Sequence, residues 1–142
     1  MRLIVRLIFG CSCLLIAPTL WADYSAGADW LEGRIQPDGS IASDHPLASS
    51  WQASAASAEA LAFVGRGDST ELADVRGYLG SDSRPTTYHL ARRILANAPG
   101  HSDRPTLISR LRQLQGPDGA FGARAGYTGT VLDTALALRA LA

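Results

Sequence analysis

Beyond residue 22, apolar side chains recur along the chain at helical spacing. Trp51, Ala55, Ala58 and Ala62 fall on one helix face, with Leu61 beside them. Leu72, Val75 and Leu79 form a second face, Leu107, Leu111 and Leu114 a third, and Leu132, Ala135, Leu136 and Leu138 a fourth. Two further segments complete the pattern: residues 29–35, which group Trp30, Leu31 and Ile35, and residues 86–98, TTYHLARRILANA. No stretch alternates as a half-buried strand does, so the pattern predicts an all-α chain of six helices. Start signals stand where the faces require them. Ser49 or Ser50 caps the second helix, Asp68 and Glu71 stand as a capping pair ahead of the third, and Thr86 or Thr87 opens the fourth. Thr130 and Asp133 form a T-x-x-D start for the sixth.

Two nearly identical turns punctuate this pattern. Pro37-Asp38-Gly39 and Pro117-Asp118-Gly119 are 80 positions apart, and the same offset aligns Leu31 with Leu111, Ile41 with Phe121, and Ala60-Leu61-Ala62 with Ala140-Leu141-Ala142. One offset holding several apolar positions in register without a gap marks an internal repeat. A middle unit aligns by Leu95, giving spacings of 34 and 46 residues, and lacks the Asp-Gly turn. The expected organisation is three helical hairpins, at about 27–64, 68–98 and 103–142. Proline stops a helix, aspartate accepts local N–H bonds and glycine takes the positive φ that reverses the chain. Asp38 and Asp118 are accordingly expected to be turn residues, with Ile41 and Phe121 tucking each loop against its hairpin.

Residues 1–22 differ in character. Arg2 and Arg6 precede an apolar run from Leu7 to Ile16, followed by Pro18 and Ala22. This is the pattern of a secretory signal peptide cleaved after Ala22, so the chain is expected to be exported, to the periplasm or beyond the cell. The run is shorter than the ~20 residues of a spanning helix, so membrane contact is expected only through an uncleaved leader. Both cysteines, Cys11 and Cys13, lie in this leader. The mature chain therefore offers no disulfide, thiolate nucleophile or Cys-ligated zinc. It keeps eleven arginines against thirteen acidic residues. That balance creates no field to gather nucleic acid.

Residues 111–122, L-x-x-L-Q-x-x-D-G-x-F-G, followed by Tyr127 and the helix LDTALALRALA, resemble the repeats of the squalene-hopene cyclase and protein prenyltransferase β-subunit superfamily. Phe121 stands where that family usually has tryptophan. The first unit, LEGRIQPDGSI with SSWQASAASAEALAF, looks like a more distant copy. The resemblance implies a partial α/α toroid, in which hairpins of about 40 residues close into a ring around a cavity. The second helix of each hairpin, beginning near Trp51, Thr87 and Thr130, would be inner and the first outer. Three hairpins make an arc, and the final helix LALRALA ends without a cap or polar face. A truncated toroid is therefore expected, its open end docking on further hairpins, on a partner or on itself.

The active sites of the resembled family do not carry over. No D-x-D-D acid segment occurs, and neither the Asp-Cys-His zinc set of prenyltransferases nor the G-C-x-E-Q thioester of complement-type toroids is possible without cysteine. Asp133 is expected to stabilise a helix N-terminus. His45, His89 and His101 lack metal-ligand spacing, and His45 and His101 fall in predicted loops. Tyr88 and Tyr127 are expected in the hairpin core, and Arg92-Arg93 on an exposed helix face. No catalytic, cofactor or metal residue is therefore assigned. The expected function is a non-catalytic scaffold binding a protein, glycan or apolar ligand on its inner helices. The alternatives are the N-terminal part of a cyclase- or prenyltransferase-like enzyme, a toroidal polysaccharide lyase, or a helical solenoid of the tetratricopeptide kind.

Overall fold

The computed structural model describes residues 23–97 and 99–142. Six helices run in order: α1 (Tyr24–Glu32), α2 (Ser50–Phe63), α3 (Thr70–Ser81), α4 (Thr87–Ala96), α5 (Arg104–Arg112) and α6 (Val131–Leu141). The chain is all-α among the described residues, with two isolated β-bridges, Ile35 to Ile41 and Gln115 to Phe121. The expected leader, residues 1–22, lies outside the described residues.

Every helix but α5 starts where a side chain accepts one of its orphan N–H groups, and α5 instead carries a proline in its first turn. Ser49 and Gln52 cap α2 reciprocally, while Thr86 and Thr130 accept from His89 and Asp133 at the starts of α4 and α6. Ser69, rather than Asp68, caps α3, because its hydroxyl accepts the Leu72 N–H at 3.1 Å. The first helix begins earlier than residue 29: the Asp23 carboxylate accepts from Ser25 and Ala26 and starts it at Tyr24. It also ends before Ile35, which pairs with Ile41 across the turn.

The two Asp-Gly turns are structural copies. In the first, Gln36 N–H donates to Ser40 O at 2.8 Å and Gly39 N–H to Gln36 O at 2.8 Å. In the second, Gly116 donates to Ala120 O at 2.8 Å and Gly119 to Gly116 O at 3.0 Å. The Asp38 and Asp118 carboxylates accept from Ser40 N–H at 2.9 Å and Ala120 N–H at 3.1 Å, which confirms both as turn residues. Hydrogen bonding from Ser40 holds the Asp38 carboxyl below its ordinary range. Each turn is then fastened to the helix that follows it. Ile41 N–H donates to Ser54 Oγ at 2.8 Å, and Phe121 N–H to Thr134 Oγ1 at 2.9 Å. Ser54 and Thr134 are again 80 positions apart. They give a buried N–H the partner it needs, at a place where the helix face is otherwise apolar.

Helix α4 is the centre of the fold, packing on α2 along one side and on α6 along the other, with α3 and α5 also against it. The contacts are lined by small side chains, Ala55 and Ala58 on α2, Ala91 on α4, and Ala137 and Ala140 on α6, all fully buried. Two apolar clusters result. One gathers Ile41, Trp51, Leu61, Leu72, Val75 and Leu79; the other gathers Leu90, Ile94, Leu107, Leu111 and Phe121. Leu61 lies in the first, while Leu95 and Leu141 pack at the edge of the second. Thr87, also buried, ties α4 to the loop between α5 and α6: its hydroxyl donates to Gly122 O at 2.5 Å and its N–H to Ala123 O at 3.1 Å.

Several expected core positions face outward instead. Trp30 is half exposed over the Arg34 guanidinium, 4.7 Å from its ring centroid. On α6 the buried residues are Ala137 and Ala140, whereas Leu132, Ala135 and Leu138 are exposed. Packing on α4 through the small side chains turns the larger ones away.

Candidate binding surfaces on the second helices

The side of α2 away from α3 carries Ala56, Glu59, Ala60 and Phe63, and together with Arg92 of α4 and Arg139 of α6 they line a groove of about 360 Å³. Glu59 is the hub. Its side chain is only 13% exposed, and it accepts from Arg92 Nη1 at 2.7 Å and from Arg139. Arg92 also lies 5.5 Å from the Tyr88 ring centroid. The expectation that Arg92-Arg93 is an exposed face is therefore corrected: both are half-buried, Arg92 by its carboxylate partner and Arg93 against α3 near Gly80. Glu59 thus links three helices, which gives the groove a mixed apolar and ionic floor. Phe63 at its rim is almost fully exposed.

A second cluster forms where α2 and α4 begin. Trp51 stacks tilted on His89 at 4.4 Å between centroids, and Tyr88 sits 5.9 Å from Trp51 and edge-on to His89 at 5.5 Å. Thr86 Oγ1 lies 2.6 Å from His89 Nδ1, and the Asp82 carboxylate 3.6 Å from His89 Nε2. A hydroxyl, an imidazole and a carboxylate in this order invite comparison with a nucleophile relay. The bonding differs from one. Thr86 is occupied as the α4 cap, Asp82 is forked by Arg84 and lies beyond hydrogen-bond reach of the ring, and the imidazole is clamped by Trp51 and Tyr88. The cluster therefore fixes the α3–α4 connection.

Its titration has a defined sign. Hydrogen bonding from Arg84 brings the Asp82 carboxyl to about 2. Its stabilising contribution is present above the ordinary value of 3.8 and is lost as pH falls through about 2. Burial, followed by the Arg84 charge, lowers the His89 value below 6.5, so the fold prefers the neutral ring. That contribution is full above 6.5 and is lost as pH falls through the lower folded value. Thermal melting of the wild-type chain should therefore show stability declining in two stages on acidification. In His89→Gln the first stage should vanish and the second remain.

The other candidates fall apart spatially. Asp133 accepts from the Thr130 hydroxyl at 2.9 Å, so its carboxylate belongs to the start of α6. His45 is exposed, and its Nδ1 accepts the Leu47 N–H. His101 lies in the loop before α5, where Nδ1 accepts the Asp103 N–H. Tyr88 packs beside the first apolar cluster as expected, but Tyr127 is 64% exposed: its backbone lies close on Gly122 while its ring stays out of the core. Among the described residues no group of three or more His, Cys, Asp or Glu is placed to hold a metal ion, and no helix is long and apolar enough to cross a membrane. Sequence reasoning missed Glu59, Ser54 and Thr134. The last two left a signal, a hydroxyl residue at the same offset in both copies of an apolar face; Glu59 left none.

No family model, curated protein or solved structure matches this chain.

Proposed function

We propose that the chain is an exported helical-repeat scaffold of the α/α-toroid kind, and that two copies close head to tail into a ring whose inner wall is the row α2, α4, α6. The observation that carries this reading is a difference between equivalent positions of the two outer repeats. On α2, Trp51, Ala55 and Ala58 are 7%, 0% and 0% exposed, covered by the hairpin that follows. The α6 positions 80 residues on are Val131, Ala135 and Leu138; Val131 is 85% and Leu138 57% exposed, and Leu132 beside them is 83% exposed. An apolar face built to the same pattern calls for the same cover.

A second copy offers such a cover at its other end. There Tyr24 and Trp30 are exposed, and a cleft of about 250 Å³ between α1 and α2 is lined by Tyr24, Ala28, Leu31, Ala60 and Val64. Head-to-tail contacts form a closed ring when their rotation closes. Glu59 supports closure, because one carboxylate of α2 takes arginines from both α4 and α6 and draws the row into an arc. The enclosed groove, with Phe63 and the Glu59 cluster, suits a ligand with an apolar body and a polar edge.

The test uses the full chain expressed with its own leader. The exported product should begin at Asp23 and sediment as a dimer. Leu132→Glu combined with Leu138→Glu should sediment as a monomer with unchanged helical circular dichroism. A wild-type chain that stays monomeric at high concentration would refute the ring, and a product retained in the cytoplasm would refute export.

A further inference from the structure

The cleft between α1 and α2 has a filled copy further along the chain. Helix α5 is the counterpart of α1 at the offset of 80 positions: Asp23 and Asp103 both stand at the N-cap, and Ile35 and Gln115 both form the β-bridge across the turn. Helix α6 is likewise the counterpart of α2, since Ser54 and Thr134 take the same N–H of the preceding turn. On this second pair α4 packs against both members. Leu107 and Leu111 of α5 and Ala140 of α6 are buried there with Leu90 and Ile94 of α4. The corresponding residues of the first pair are Gly27, Leu31 and Ala60, and all three line the open cleft. The cleft is therefore the seat of α4 without its helix. A Cβ on Gly27 would meet nothing within 4 Å.

Helix α6 carries the face that fits this seat. Helices α4 and α6 start on equivalent threonines, Thr86 and Thr130, whose hydroxyls accept from His89 and Asp133. Counted from those caps, Thr87, Ala91 and Ile94 correspond to Val131, Ala135 and Leu138. The α4 set is fully buried, whereas the α6 set is exposed and lines a groove of about 400 Å³. Joining the two surfaces leaves no unpaired charge between them. The groove has no charged side chain in its lining, and the one in the cleft, Asp23, is bonded to the Ser25 and Ala26 N–H groups. Around them, Asp29 and Glu32 are engaged by Arg66, and Arg139 by Glu59.

We propose that α6 of a second copy occupies the vacant seat between α1 and α2, in the register that α4 keeps on α5 and α6. The inference rests on the ring reading and adds which helix enters, and where. Arg104 opens α5 and donates from Nη1 to Ile94 O at 2.8 Å, so Ile94 stands at the end of α5 that carries Leu107. Their counterparts across the copies are Leu138 and Gly27. Because glycine stands where α5 has a leucine, the contact lacks one buried side chain and is weaker than its internal model.

The test mixes full chains carrying Gly27→Cys with full chains carrying Leu138→Cys, oxidises them mildly and identifies the joined residues by peptide mapping. A disulfide between positions 27 and 138 should form, and Ser109→Cys, on the exposed side of α5, should give none with Leu138→Cys. In sedimentation, Gly27→Leu should lower the dimer dissociation constant by about tenfold or more, the scale of one added buried leucine. Gly27→Glu should raise it by about tenfold or more, since its carboxylate would be buried against Leu138. Both replace an exposed helical glycine by a better helix former, so opposite shifts cannot arise from a change in fold. A dimer that forms without the disulfide, or that responds alike to both substitutions, overturns the seat and leaves the ring reading standing. A chain that stays monomeric overturns both.

Discussion

Phe121→Ala is expected to lower the unfolding free energy by about 3–5 kcal/mol, the upper range for emptying a large buried site. Phe121 is 1% exposed and packs in the second cluster with Leu107, Leu111, Ala137 and Ala140. Its backbone is pinned on both sides, by N–H donation to Thr134 Oγ1 and by its carbonyl accepting the Thr130 N–H at 3.0 Å. The turn therefore cannot collapse into the vacated space, and the cavity persists. Urea denaturation followed by circular dichroism should show a lower midpoint with an unchanged slope. A loss below about 1 kcal/mol would mean that the last turn does not close the second cluster.

Gly39→Ala and Gly119→Ala should differ, although the two turns share the same backbone hydrogen bonds. Both glycines adopt positive φ, 80° and 83°, so either alanine carries the left-handed cost of about 1–2 kcal/mol. At Gly39 the new Cβ would also stand 2.2 Å from Asp74 O and 3.3 Å from Tyr78 Cβ, because the first turn is pressed against α3. At Gly119 the nearest atom is the flexible Gln115 Nε2 at 4.0 Å. Forcing the first turn off α3 brings the expected loss at Gly39 to about 2–5 kcal/mol. The same denaturation measurement on both variants decides the matter. Equal losses would show that the first turn does not rest on α3.

The contrast between these glycines separates what was legible in the chain from what was not. Pro-Asp-Gly encodes its own reversal, since each contributing preference acts within a few bonds, and so the turns, the caps at Ser49, Thr86 and Thr130, and the helix count were readable. The faces of Leu72, Val75 and Leu79, and of Leu107 and Leu111, were readable because their larger side chains fill the core. On α6 the same reasoning chose Leu132 and Leu138, and the fold buried Ala137 and Ala140. Periodicity identifies an apolar stripe, but the stripe of an alanine- and leucine-rich helix is wide. Which part meets a neighbour depends on how closely that neighbour can approach.

The candidate surfaces were less legible still. Glu59, Arg92 and Arg139 lie up to 80 positions apart, and nothing local distinguishes Glu59 from a solvated carboxylate. Arg93, expected with Arg92 on an exposed helix face, is half-buried because α3 and α4 pack around it. Local steric and hydrogen-bonding preferences were thus written into this chain residue by residue: its helices, their starts and its twin reversals. Burial and electrostatics emerged only on assembly, because desolvation is set by every atom that comes near, and those atoms arrive from distant parts of the chain.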